Sequence, residues 1–445
     1  MRFREVQIVS EDTRNPDRHF QLKAWHVAVA IIVLLLGAAM LWFVVHRNDT
    51  QRRLQALRAA GYPTSFAELA QYTKLPEGVD NGAEVYISAL AAYVPPVDEA
   101  NMPVLGKAPW PARGTPLPGA MAQAISKCLA ANQPCLSLLR EAAGIEHCRY
   151  DHDYTQTVPL PVERKNCAQL LSVAALYHAY QGETDATMTC IRDGLRISDS
   201  LRREPALIGH LMRISFIRMT LEGLERSLSL ATFTDRQLKD LDEMLTRTAG
   251  TLDLRQAMIT ERCSLIEMCQ NPWRFAGPGS GLPFRKIPGL TDVCLADTLE
   301  YMEKRIEVCA LPPTERLQPL RQIDHDIQRL SFLHLLTKIL TPALTRVAEL
   351  DLRRQAHVDM TRAALALERY RLATAQVPEQ LAELVPQYLE RVPLDPFDGQ
   401  PIRYRRTNPG YLLYSIDTDG QDNGGRERDM VKKGEPYDLC FIVTR

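Results

Sequence analysis

The densest set of oxygen ligands in this chain is Asp417-Thr418-Asp419-Gly420-Gln421-Asp422-Asn423-Gly424-Gly425. Clustered carboxylates, backbone carbonyls and flexible glycines supply the hard donors that calcium prefers. The same residue types also build an Asx-rich surface turn with no metal. An EF-hand is excluded by register: with Gly420 at loop position 6, position 12 falls on Arg426 instead of Glu. A second group, His147-Cys148-x-x-Asp151-His152-Asp153, offers softer ligands of the kind zinc takes. Its spacing is irregular and no second cluster accompanies it, so it reads as a surface loop with a structural cysteine. His325, flanked by Asp324 and Asp326, reads as a solvated helix face. There is no Gly-x-Ser-x-Gly, P-loop, dinucleotide glycine motif or His-Glu-x-x-His. Enzyme activity therefore stays open, with no residue-level support.

The elements that must hold these residues are mostly helical. The chain has 445 residues, enough for two or three domains, and its net charge of −1 argues against nucleic acid as the main partner. Val27 to Val45 is free of charge over nineteen residues, about 28 Å as a helix, with Trp25 and Trp42-Phe43 near its ends. Residues 24–46 are thus expected to be an uncleaved, single-pass transmembrane helix in contact with the lipid bilayer. Residues 1–23 form a short cytoplasmic tail, and the bulk of the chain lies outside. The flanking arginines and lysines are almost balanced. All ten cysteines follow this run, at 128, 135, 148, 167, 190, 263, 269, 294, 309 and 440. An oxidising compartment permits disulfides among them, with no connectivity legible, while Cys190 and Cys263 read as small core residues.

Residues 47–340 read as an α-helical domain. Helices are expected over 50–93 with breaks at Tyr62-Pro63 and Leu75-Pro76, near Ala120–Ala131 and near Pro134–Ala143. The seven prolines between Val94 and Pro118 predict an extended surface loop. Apolar stripes at Leu170, Ala174, Tyr177 and at Met188, Ile191, Leu195, divided by Gly182-Glu183, predict a helical hairpin inside a core at about 164–270. Ala174 to Leu195 resembles one degenerate tetratricopeptide (TPR) unit without a second copy at regular spacing. Thr234 with Gln237 forms a capping-box signature. The Gly- and Pro-rich stretch 271–292 interrupts the helices. Thr341-Pro342 opens a long helix, Ala343 to Ala373. Short turns follow at Val377–Leu389, then strands at Ile402–Tyr404 and Tyr411–Ile416.

The last part of the chain resembles the globular domain of type II secretion pseudopilins, over about residues 355–432. The matching features are a helix ending Leu367-Glu368-Arg369-Tyr370-Arg371, the turn at Pro378 and the corner Asp395-Pro396-Phe397-Asp398-Gly399. The two strands and the acidic loop follow in the same order. The resemblance implies an α+β module over 341–445, a long helix with a small antiparallel sheet. It also implies a calcium site using the Ile416 carbonyl, Asp419 and Asp429, with Asp417 and Asp422 assisting. The chain departs from that family in its start. The membrane run lies some three hundred residues upstream and its leading half lacks an acidic residue, so assembly as a pilus subunit is not expected. The whole arrangement is similar to membrane-anchored bacterial proteins that pair a helical region with this module.

The fold expected is therefore mainly α with a small C-terminal α+β domain. The function expected is a non-enzymatic scaffold or adaptor in the bacterial inner membrane, its bulk periplasmic, with protein partners in the envelope and a link to a type II secretion-like system. Two alternatives stand beside it: an extracytoplasmic hydrolase with 271–292 as a lid, and a small-ligand sensor.

Overall fold

The computed structural model describes residues 17–151, 162–205, 207–271, 290–331, 334–340 and 343–445. The chain forms two compact units, Met1–Ala56 and Leu57–Arg445. The uncharged run lies within one helix, α1 (Asp17–Ala59, 43 residues). The side chains of residues 35, 36, 38, 39 and 42–45 of that run lie outside the described set. Among the described residues no helix is long and apolar enough to cross a membrane. Trp25, Val27, Ile31, Ile32, Val33, Leu34, Met40 and Leu41 are exposed.

The second unit is mainly helical and ends in a small antiparallel sheet, as the residue pattern led us to expect. Helices α2 (Phe66–Tyr72), α3 (Ala83–Ala91), α4 (Gly119–Ala131) and α5 (Gln133–Ala143) lead into α6 (Val162–Tyr180) and α7 (Thr184–Asp199). The α6–α7 hairpin turns at Gly182, whose φ is +75°. Next come α8 (Leu207–Leu228), α9 (Asp235–Gly250) and α10 (Leu254–Gln270). Both halves of the Thr234–Gln237 capping box are made at the start of α9. Packing of α6 against α8 is close because Gly223 has no side chain. A Cβ there would sit 2.6 Å from Ser172 Oγ and 3.0 Å from its carbonyl, and a larger residue would force the helices apart.

The helical series continues with α11 (Leu290–Cys309), α12 (Pro313–Arg329), α13 (Leu335–Leu340) and α14 (Ala343–Thr374). Thr341 and Pro342 lie outside the described residues. Two cores meet on α14. Leu344, Val347 and Ala348 join a cluster with residues of α10, α11 and α12. Val358, Met360 and the whole stretch Ala363 to Leu367 join the larger cluster with α6 to α9 and the sheet. Five consecutive buried residues mean that α14 is covered on every side there, as a helix apolar all round must be.

The sheet has strands β1 (Arg403–Arg406), β2 (Tyr411–Ser415) and β3 (Leu439–Val443) in the order β1-β2-β3. Leu413 pairs with Tyr404 on one side and Phe441 on the other. The side chains of Leu413 and Phe441 reach the core beside α14. The Asp395 carboxylate is fully buried and organises the corner before β1. It accepts from the Phe397 N–H (3.1 Å), Arg403 (2.8 Å), the Ser415 hydroxyl (2.9 Å) and the Ile416 N–H (3.0 Å). Burial pushes this carboxyl up from its ordinary value, against those four bonds.

Replacing Asp395 with Ala would leave Arg403 without its deepest partner, and the buried Ile416 N–H and part-buried Phe397 N–H unpaired. We expect Asp395→Ala to lower the stability of the full chain by about 3–5 kcal/mol, read by urea unfolding. An unchanged midpoint would contradict this role.

Candidate functional site

A cleft of about 1030 Å³ opens where α8, α14 and the stretch from Glu427 to Cys440 meet the proline-rich loop. That loop is no plain surface excursion. Met102 and Leu117 are buried and anchor it, and it delivers Trp110 and Arg113 to the cleft wall. At the base, Glu225 of α8 is almost fully buried. Its carboxylate accepts from Arg113 Nε (2.6 Å) and from the Ile442 N–H of β3 (3.2 Å). The other face of the Arg113 guanidinium donates to both oxygens of Glu427, at 3.0 and 2.5 Å. One arginine thus joins the helical region, the proline-rich loop and the C-terminal module. Burial pushes the Glu225 carboxyl up and Arg113 only partly offsets it. Burial alone would lower Arg113, but the two carboxylates outweigh it and hold its proton more firmly than usual.

The rim is arginine-rich. Arg218 and Arg346 have more than half of their side chains exposed, although each touches a glutamate on its own helix, Glu222 and Glu349. Arg428 is exposed, its guanidinium carbon 5.9 Å from the Tyr437 ring centre, and Arg226 lies 5.8 Å from that of Trp110. Deeper in, His357 packs edge-on to Phe441 with ring centres 6.2 Å apart, and its Nε2 is buried with no hydrogen-bond partner among the described residues. Burial, with the Arg218 charge behind it, pushes this imidazole down to about 4, so it is neutral at physiological pH. A rim of planar guanidinium groups, two of them beside aromatic rings, suits carboxylate-bearing ligands.

Most of the residues expected to hold a metal have protein partners of their own. Asp417 is buried and paired with Arg353 of α14 at 2.6 Å. Its φ of +59° is tolerated because its own side chain accepts from the Thr418 N–H (2.6 Å). Asp419 accepts from the Gln421 N–H (3.0 Å) and Asp422 from the Gly424 N–H (2.8 Å), both Asx turns. Asp429 sits apart on a short 3-10 turn that lines the cleft. Ile416 is held by its N–H to Asp395. Among the described residues no group of three or more His, Cys, Asp or Glu side chains is arranged to hold a metal ion.

One contributor, Asp438, was not singled out from the sequence. Asp438, almost fully buried, accepts from the Gly425 N–H (2.7 Å) and the Asn423 N–H (3.3 Å) and so shapes the acidic loop. Gly425, with φ +72°, lies so close to Leu412 that a Cβ would meet its Cδ2 at 2.5 Å. Of the face expected to be solvated, His325 and Asp326 are exposed, while Asp324 turns inward to the buried Arg305 at 2.5 Å. Cys148 is buried, which pushes its thiol up to about 12, while Asp151 is exposed near Arg149. His152, Asp153 and residues 272–289 of the expected lid lie outside the described residues.

Comparison with known proteins found no matching family model, no matching curated protein and no matching solved structure.

With Asp417 on Arg353 and Asp419 and Asp422 on loop amides, we expect the full chain to melt identically in millimolar calcium and in EDTA. A bound ion must raise stability by mass action. A calcium-dependent rise abolished by Asp419→Ala with Asp429→Ala would instead place an ion at this loop.

Proposed function

We propose that this protein is a membrane-anchored adaptor whose arginine-rimmed cleft holds an acidic segment of a protein partner. The observation that carries the reading is the cleft. Its volume is that of a specific binding site. Its exposed cations are Arg218, Arg346 and Arg428, and it is built jointly by the helical region and the C-terminal module. The buried acids within it are already held, Glu225 and Glu427 by Arg113 and Asp438 by loop amides. Groups engaged in this way favour recognition over acid–base hydrolysis.

The anchor is the uncharged run Val27 to Val45, whose described apolar side chains are exposed on successive turns of α1. In this proposal the short tail lies in the cytoplasm and the bulk in the periplasm of a bacterial inner membrane. The α6–α7 hairpin serves as a TPR-like element, and the long helix with its three-stranded sheet as a pseudopilin-like module. The resemblance of that module connects the adaptor to a type II secretion-like assembly.

The test is affinity capture from solubilised membranes with the full chain, wild type beside the charge-reversed Arg218→Glu, Arg346→Glu, Arg428→Glu variant. The expected result is a protein partner enriched by wild type and lost at least tenfold by the variant, about 1.4 kcal/mol or more, with its melting temperature retained. No partner above background, or one captured equally by both forms, would contradict the proposal.

A further inference from the structure

The inner faces of α10 and α11 bring two cysteines together. Cys269, one residue before the end of α10, and Cys294, in the first turns of α11, are both buried. Their sulfurs lie 2.7 Å apart. The Thr298 hydroxyl, one turn along α11, is 3.4 Å from the Cys269 sulfur. Among the described residues Cys135 of α5 and Cys167 of α6 also approach, but at 3.7 Å, an ordinary contact between thiols.

We propose that Cys269 and Cys294 form a disulfide that staples α10 to α11. The two cysteines are 25 residues apart in the chain, and the bridge would close that stretch into a covalent loop. Three observations support it. The sulfurs already face each other on two helices that pack along their length. Both side chains are enclosed, so a bond once made is shielded from exchange. Bonding needs only a further approach to about 2 Å, without moving either helix to a new position.

The reaction is a thiol–disulfide exchange with a disulfide oxidant, a protein or small molecule that is itself reduced to two thiols. The Cys269 thiolate attacks one sulfur of the oxidant and expels the first thiol. The Cys294 thiolate then attacks the Cys269 sulfur and expels the second. Two thiols are oxidised, one disulfide is reduced, and the two protons end on the departing sulfurs. Burial of the finished pair places the exchange before α10 and α11 close, during folding.

Formation in the cell rests on the periplasmic placement proposed above; formation in vitro does not. The full chain is therefore refolded in a glutathione redox buffer, its remaining thiols are alkylated, and its peptides are mapped without reduction. The expected result is a Cys269 peptide joined to a Cys294 peptide, lighter by two hydrogens than the separate thiols and released by reductant. Alkylation of both cysteines, or joining of either to another cysteine, would overturn the proposal. The same mapping on protein trapped directly from cells is paired with a reporter fused after Arg445 that is active only outside the cytoplasm. A link made in vitro, with free thiols in cells and a silent reporter, supports the pairing and counts against the placement alone.

Discussion

Everything after Leu57 depends on one helix belonging to two cores. The first turns of α14 are buried with α10, α11 and α12, while its second half is buried among α6 to α9 and under the sheet. Neither core is complete without it. A residue such as Leu365 or Leu367 removed from this environment would expose apolar surface on both partners at roughly 25 cal/mol per Å². This explains why Leu57–Arg445 forms one compact unit even though its C-terminal part has the look of a separate module.

Buried charge fixes the register of that joint. Asp351 of α14 is enclosed between Arg354 (3.0 Å), His210 of α8 (3.4 Å) and Arg316 of α12 (3.9 Å). Burial would raise its carboxyl, but Arg354 and His210 outweigh that and hold it well below the usual range. Its contribution to stability is therefore present above the ordinary aspartate range and is lost only as pH falls through the lower folded value. Arg113 plays the matching part at the cleft through Glu225 and Glu427. At the chain end, Arg445 donates to the Leu228 and Ala231 carbonyls, and the Thr444 N–H reaches Ser229 (3.2 Å). The cleft is a consequence of this docking, because its walls come from both sides of the joint.

Local signals made much of the fold legible. The Thr234–Gln237 cap and the Gly182 turn act over short distances and are found where expected, and the long helix expected over Ala343–Ala373 is α14, Ala343–Thr374. The strand expected at Ile402–Tyr404 is Arg403–Arg406, and that at Tyr411–Ile416 is Tyr411–Ser415. The third strand, Leu439–Val443, was not singled out, because what defines it is pairing with β2 across the acidic loop. The cleft was illegible for the same reason: Arg113, Glu225 and Glu427 are joined only by folding. The acidic loop drew attention through composition, yet the partner of Asp417 is Arg353, 64 residues upstream. Composition could count those carboxylates but not say what already occupied them.

The adaptor reading and the architecture meet in one requirement: helical region and C-terminal module must act as a single body, or the cleft between them has no fixed shape. Hydrogen exchange of the full chain across a urea series measures this most directly. Amides of α8, α14, β2 and β3 are expected to lose protection at the same urea concentration, as one cooperative unit does. Loss of protection in β2 and β3 at a clearly lower concentration than in α8 would contradict the shared core, and with it the cleft as a preformed site.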